Sequence, residues 1–178
     1  MTPEQLKDLG LQHYRAERHT AAAAAFDEAA AAYAAAGDRG AAAELRNNAC
    51  VAWMACGDWT AALAAVTGTP AVFQALGDTL RQGQALANLA AAHDGAGQEE
   101  RAAEAYVQAI DLLGQAGERE TRAACFKKLS ALQVKSGDKL QALASMRSGL
   151  ALTPDEALSA KEKTLKGLLE KAMRLMGL

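Results

Sequence analysis

Three histidines and three cysteines are the side chains best suited to holding a metal or carrying nucleophilic catalysis. Their spacing serves neither purpose. A metal centre needs Cys, His or carboxylate groups at short spacing on one face, and His13, His19 and His93 have no such neighbours. His13 and His93 stand 80 residues apart, with Trp53 and Gln133 at the matching intervals. A position shared by His, Trp, His and Gln reads as a packing slot for a flat or long side chain. His19 falls in a turn, where solvation is expected. Cys50 and Cys56 lie on opposite sides of one helix, and with Cys125 they form no CxxC pair. They are expected as reduced thiols in small packing slots of a cytoplasmic protein. No nucleophile elbow, phosphate loop or dinucleotide glycine fingerprint occurs. The acidic pairs Asp27-Glu28 and Glu99-Glu100 read as solvated helix surface. Converging groups in a dry pocket are missing, so the expectation is no enzyme, no metal and no cofactor.

The elements that position these residues follow from composition. Of 178 residues, 45 are Ala and only 8 are aromatic. Ala is the best helix former and is depleted in strands. The expected class is all-α, with small residues letting helices approach closely. The net charge of −2 conceals an asymmetry: residues 1–118 carry −8 and residues 119–178 carry +6. Neither value marks a nucleic-acid binder, and no aromatic follows Phe126 to stack on bases. No apolar run is long enough for a membrane span, and the N-terminus lacks the pattern of a signal peptide.

Glycines set the organisation. Gly37, Gly77 and Gly117 recur at intervals of 40, and so do Gly57, Gly97 and Gly137. Each is followed by a polar residue, and glycine is the usual helix stop. Glu17 stands where the second series would begin. Four units follow, 3–38, 39–78, 79–118 and 119–153, each with two helices. Matched positions support the register. Ala22, Ala62, Ala102 and Ala142 coincide; Phe26, Val66, Tyr106 and Met146 are all large; Gly10, Cys50, Ala90 and Ser130 are all small. Large residues of one helix entering notches over small ones on the next is ordinary helix packing. Two helices per unit and no strand signal make an α-α solenoid.

The second unit departs from this pattern. Thr67-Gly68-Thr69-Pro70 interrupts its second helix, because an interior proline loses a hydrogen bond and clashes with the preceding turn. A break is expected at 67–69, with Thr69 as N-cap and Pro70 as the first residue of a short helix. It is either a tolerated irregularity on the outer surface or a functional hinge or contact loop. Thr2-Pro3-Glu4-Gln5 starts the first helix at once. Thr153-Pro154-Asp155-Glu156 repeats that grammar and is expected to start a capping helix over 154–176. Its apolar set is Leu158, Leu165, Leu168, Leu169, Ala172, Met173 and Met176, and Lys161, Lys163, Lys166, Lys171 and Arg174 lie opposite.

These features resemble the tetratricopeptide repeat family in its long, 40-residue variety. Leu89-Ala90, Gly97, Ala102, Tyr106 and Ala109 of the third unit carry the resemblance best. The first unit has Glu17 for the mid-repeat glycine, and the fourth has Gly149 for the late alanine. The resemblance implies a single domain over 1–178, a right-handed superhelix of helix-turn-helix repeats whose first helices line a concave face. On the turns it aims at a ligand stand Lys7, Asn47, Asn48, Met54, Asn88, Lys127 and Lys128. Asn48, Asn88 and Lys128 make a ladder with one rung per repeat, as asparagines do in long-repeat relatives such as kinesin light chains, where they hold the backbone of an extended peptide. A primary amide donates and accepts at once, which suits that task. The same asparagines could instead bridge adjacent helices. The carboxylate clamp of chaperone-binding relatives fits less well: Lys7 and Asn48 match, but Leu11, Gln84 and Asn88 stand where other residues are needed. The implied function is a non-enzymatic protein-interaction module that binds an extended or helical segment of another protein. The alternative is a self-assembling scaffold joined head to tail through its acidic first end and basic last end. Neither reading involves nucleic acid or a membrane span.

Overall fold

The computed structural model describes residues 1–175, the side chains of Met173 and Leu175 excepted. The expected side chain of Met173 and all of Met176 therefore lie outside the described residues. Every regular element among those described is helical. The helices are α1 (Pro3–Arg15), α2 (His19–Ala35), α3 (Arg39–Ala55), α4 (Trp59–Val66), α5 (Thr69–Ala75), α6 (Thr79–Gly95), α7 (Glu99–Gln115), α8 (Glu120–Lys135), α9 (Lys139–Leu152) and α10 (Ala160–Leu175). A 3-10 turn, Asp155–Ala157, precedes α10. No described helix is long and apolar enough to cross a membrane.

The turns explain the period of 40. Gly37, Gly57, Gly77, Gly97, Gly117 and Gly137 all have positive φ, the left-handed conformation that stops a helix without strain. The polar residue after the glycine often starts the next helix. Asp38, Asp58, Asp78 and Asp138 each accept the backbone N–H three residues on, at 2.9, 2.9, 2.9 and 3.1 Å. Glu17 takes the same turn with φ of 56°, the one non-glycine at positive φ among the described residues. Thr2 and Gln5 form the expected capping box, with Pro3 in the first turn.

Most helices pack on the next in sequence, α3 also meets α6, and α6 meets α8. One apolar cluster joins α1–α4 and takes in Ala92 of α6, a second joins α6–α8, and Phe73 with Ala43 and Ala85 bridges α3, α5 and α6. The small-position series behaves as expected: Gly10, Cys50, Ala90 and Ser130 are all buried. At Gly10 a Cβ would come within 2.6 Å of the Phe26 ring. The matched slot of His13, Trp53, His93 and Gln133 is half-buried in every unit.

The break falls where expected, but its chemistry differs. Gly68, at φ +86°, precedes α5, and Thr69 is the first residue of that helix rather than its cap. Pro70 has no N–H to give the Val66 carbonyl four residues back. The Thr69 hydroxyl donates to that carbonyl instead, at 2.9 Å. Thr69 is 2% exposed, in the slot that Ala29 and Ala109 fill elsewhere. The break buries Thr69 while Thr67 and Gly68 stay exposed, and it leaves the 40-residue register intact.

The last helix also differs. Thr153 does not cap it: its hydroxyl donates to the Gly149 carbonyl at 2.9 Å. Ser159 and Glu162 form the box that starts α10. The Ser159 N–H donates to Glu162 Oε2 at 3.0 Å, and the Glu162 N–H donates to Ser159 Oγ at 3.3 Å. Two capping signals compete in this stretch, and the Ser-x-x-Glu pair satisfies both backbone donors. Leu158 is buried and Leu165 and Leu169 are half-buried, but Leu168 and Ala172 are exposed. Lys166, expected on the solvent side, is half-buried and reaches Asp155 at 2.7 Å.

Candidate functional site

The first helices of the second, third and fourth units place their polar turns around one cleft of about 420 Å³. Glu44, Asn47 and Asn48 come from α3, Arg81, Gln84 and Asn88 from α6, Thr121 from α8, and Phe73 of α5 contributes the apolar wall. The chain has only three asparagines, and all three line this cleft. The 40-residue period accounts for the grouping. Asn48 and Asn88 are equivalent positions on neighbouring helices, and so are Glu44 and Gln84.

Ion pairs tie the cleft together. Glu44 receives Lys7 on one oxygen and Arg81 on the other, each at 3.5 Å, and Arg81 also meets Asp78 at 3.5 Å. The cations at this site therefore already face carboxylates. At 3.5 Å and with substantial exposure these pairs are worth little stability; their effect is to orient the side chains. The Thr69 hydroxyl lies 3.2 Å from Asn47 Oδ1 as well as 2.9 Å from the Val66 carbonyl. A hydroxyl has one hydrogen. Turning the Asn47 amide over lets its Nδ2 donate to Thr69 Oγ1 while Thr69 donates to Val66, and both contacts are satisfied.

The expected site residues divide. Asn47, Asn48 and Asn88 share the cleft, and Lys7 reaches its rim through Glu44. Met54 is not at the cleft; it packs against the cluster of α1–α4. Lys127 lines a separate, mostly apolar hollow of about 720 Å³ between α8, α9, the 3-10 turn and α10. There it donates to Glu162 Oε1 at 3.0 Å. Lys128 is exposed and lines neither hollow. Glu44, Phe73, Arg81 and Thr121 are cleft residues that reading the asparagine ladder alone does not reach. Arg81 is the third residue of α6, and the period of 40 makes Thr121 its equivalent one repeat later.

The other reactive groups sit apart from the cleft. Burial pushes the Cys50 and Cys125 thiols up to about 12, which keeps them protonated. Cys56 does not occupy the expected buried slot. It ends α3 exposed, with Sγ donating to the Ala52 carbonyl at 3.3 Å. His19 is half-buried rather than solvated, edge-on to Tyr14 with ring centroids 5.2 Å apart. Among the described residues, no three His, Cys, Asp or Glu side chains are placed to hold a metal ion.

Neither a protein-family model nor a curated protein sequence matches this chain.

Proposed function

We propose that the chain is a tetratricopeptide-like protein-interaction module of the cytoplasm. In this reading the units 3–38, 39–78, 79–118 and 119–153 stack as a right-handed α-α solenoid, and α10 caps the last one. The cleft between α3, α6 and α8 binds a segment of another protein without catalysis. The observation that carries the reading is the gathering of every asparagine in the chain at one cleft. With Gln84 they supply four primary amides, each able to donate and accept, which suits a peptide backbone crossing the helices. Lys128, exposed further along, would favour an acidic residue at that end of the segment. The test is affinity capture from a cytosolic extract of the source, comparing wild type with the double variant Asn48→Ala, Asn88→Ala. The expected result is a partner held by wild type and lost by the variant. Equal retention by both would refute the cleft as the working surface.

Head-to-tail self-assembly is the second reading. In its favour, Leu140 and Leu143 are 82% and 46% exposed on α9, near the basic Lys139 and Arg147. The first end exposes the acidic Asp8 together with Gln5, Gln12, Met1 and Tyr14. Sedimentation at low and high salt separates the readings, because ionic end contacts weaken as salt screens them.

A further inference from the structure

Resting on the reading of the cleft as a peptide site, we infer that it is built for a neutral carboxamide side chain, Asn or Gln, of the bound segment, and that Thr69 positions Asn47 to receive it. The helix break is the source of this arrangement. Pro70 leaves the Val66 carbonyl without its helical partner, and the buried Thr69 hydroxyl spends its only hydrogen there, at 2.9 Å. Its oxygen is then an acceptor, 3.2 Å from the Asn47 amide. Asn47 Oδ1 faces that oxygen in the structure; with the amide turned over, as the single hydroxyl hydrogen requires, Nδ2 donates to it and Oδ1 faces the cleft as an acceptor. Ala29, Ala109 and Gly149, at the same position of the other units, have no hydroxyl and impose no such orientation.

The charges around the cleft select in the same direction. Lys7 and Arg81 are matched by Glu44 and Asp78, so an acidic side chain finds no unmatched cation and a basic one no unmatched carboxylate. A carboxamide instead gives its N–H to Asn47 Oδ1 and takes a hydrogen from Asn48, Gln84 or Asn88. A charged isostere would leave donors or acceptors unpaired or bring in repulsion, and such mismatches discriminate more strongly than size does.

The experiment selects binders from a displayed library of short random peptides and titrates the strongest one. It also titrates versions with its shared central residue changed from the amide to the matching acid and to Leu. The proteins are wild type, Thr69→Val, Thr69→Ser and Asn47→Leu. We expect a shared Asn or Gln in the selected peptides, and an affinity that changes little between low and high salt. The acid version should bind at least about tenfold more weakly, as for one lost hydrogen bond. Thr69→Val should weaken the amide peptide but not the Leu peptide, Thr69→Ser should restore it, and Asn47→Leu should abolish the preference. If Thr69→Val fails to fold, Asn47→Leu decides alone, since it leaves the Thr69–Val66 bond intact. A shared acidic residue, a salt-dependent affinity, or equal losses for the amide and Leu peptides would overturn this inference. Peptide binding abolished by Asn48→Ala, Asn88→Ala would still leave the cleft reading standing. Failure to select any peptide would overturn both.

Discussion

Two hollows in this protein lie on the same helix face yet have opposite character. The cleft of α3, α6 and α8 is the smaller, about 420 Å³, and is lined by amides and paired charges. The hollow under α10 is larger, about 720 Å³, and is lined mainly by Ala123, Ala124, Met146, Leu150, Leu158 and Leu165. Positions equivalent to Glu44 and Gln84 reach the second hollow as Ala124, and the equivalent of Asn47 reaches it as Lys127, which is already bound to Glu162. The larger volume is a helix end incompletely filled. The smaller one is where repeated polar side chains converge. The larger hollow offers apolar surface, and the smaller offers convergent donors and acceptors.

The sharpest way to break the comparison is to remove the wall of the smaller hollow. Phe73 is 1% exposed between α3 and α6. Phe73→Ala should cost about 3–5 kcal/mol in urea unfolding, and it should open the cleft. Leu168→Ala, on the exposed face of α10, should change stability by no more than about 0.5 kcal/mol. Comparable losses would mean that the two regions are equally well packed.

A smaller effect sharpens the register on which equivalent positions rest. Glu17 holds, at φ 56°, the conformation that glycines hold in the other units. Glu17→Gly should raise the stability by about 1 kcal/mol, read as a higher midpoint of thermal unfolding. A loss would show that the first turn is not equivalent to the others.

The smallest effect concerns the clamp on the larger hollow. Hydrogen bonds from Ser159, with Lys127 beside it, hold the Glu162 carboxyl at about 2, against its usual 4.5. A carboxylate held below its usual value stabilises the fold above that value, and this contribution is lost as pH falls. Amide-exchange protection at the start of α10 should therefore decline between pH 4.5 and about 2, while α3 and α6 keep theirs. At neutral pH, Lys127→Ala should cost about 1 kcal/mol or less, because the lysine is largely exposed.

Much of this was legible in the residues. The positive-φ turns follow from two glycine series, and the buried small positions follow from a period of 40, because each recurs often enough to outweigh local propensity. What local grammar alone could not settle was which of two signals wins. Thr153-Pro154 and Ser159-x-x-Glu162 both carry a helix-start signal, and α10 starts at the second because that pair satisfies two backbone donors. Thr69 looked like a cap, but the carbonyl freed by Pro70 claims its hydroxyl. Lys127 looked like part of the ladder, but the packing of α10 brings Glu162 to it. Glu44 and Arg81 are joined across units, a contact that no single repeat encodes.

The central claim is that the asparagines act together on a bound segment. With only three in the chain, selective ¹⁵N-asparagine labelling gives one side-chain amide pair each for Asn47, Asn48 and Asn88. Titration with the captured partner's segment should shift all three together, with the Asn47 pair assigned by its loss in Asn47→Leu. If the segment binds while all three stay in place, the cleft is not where this protein meets its partner.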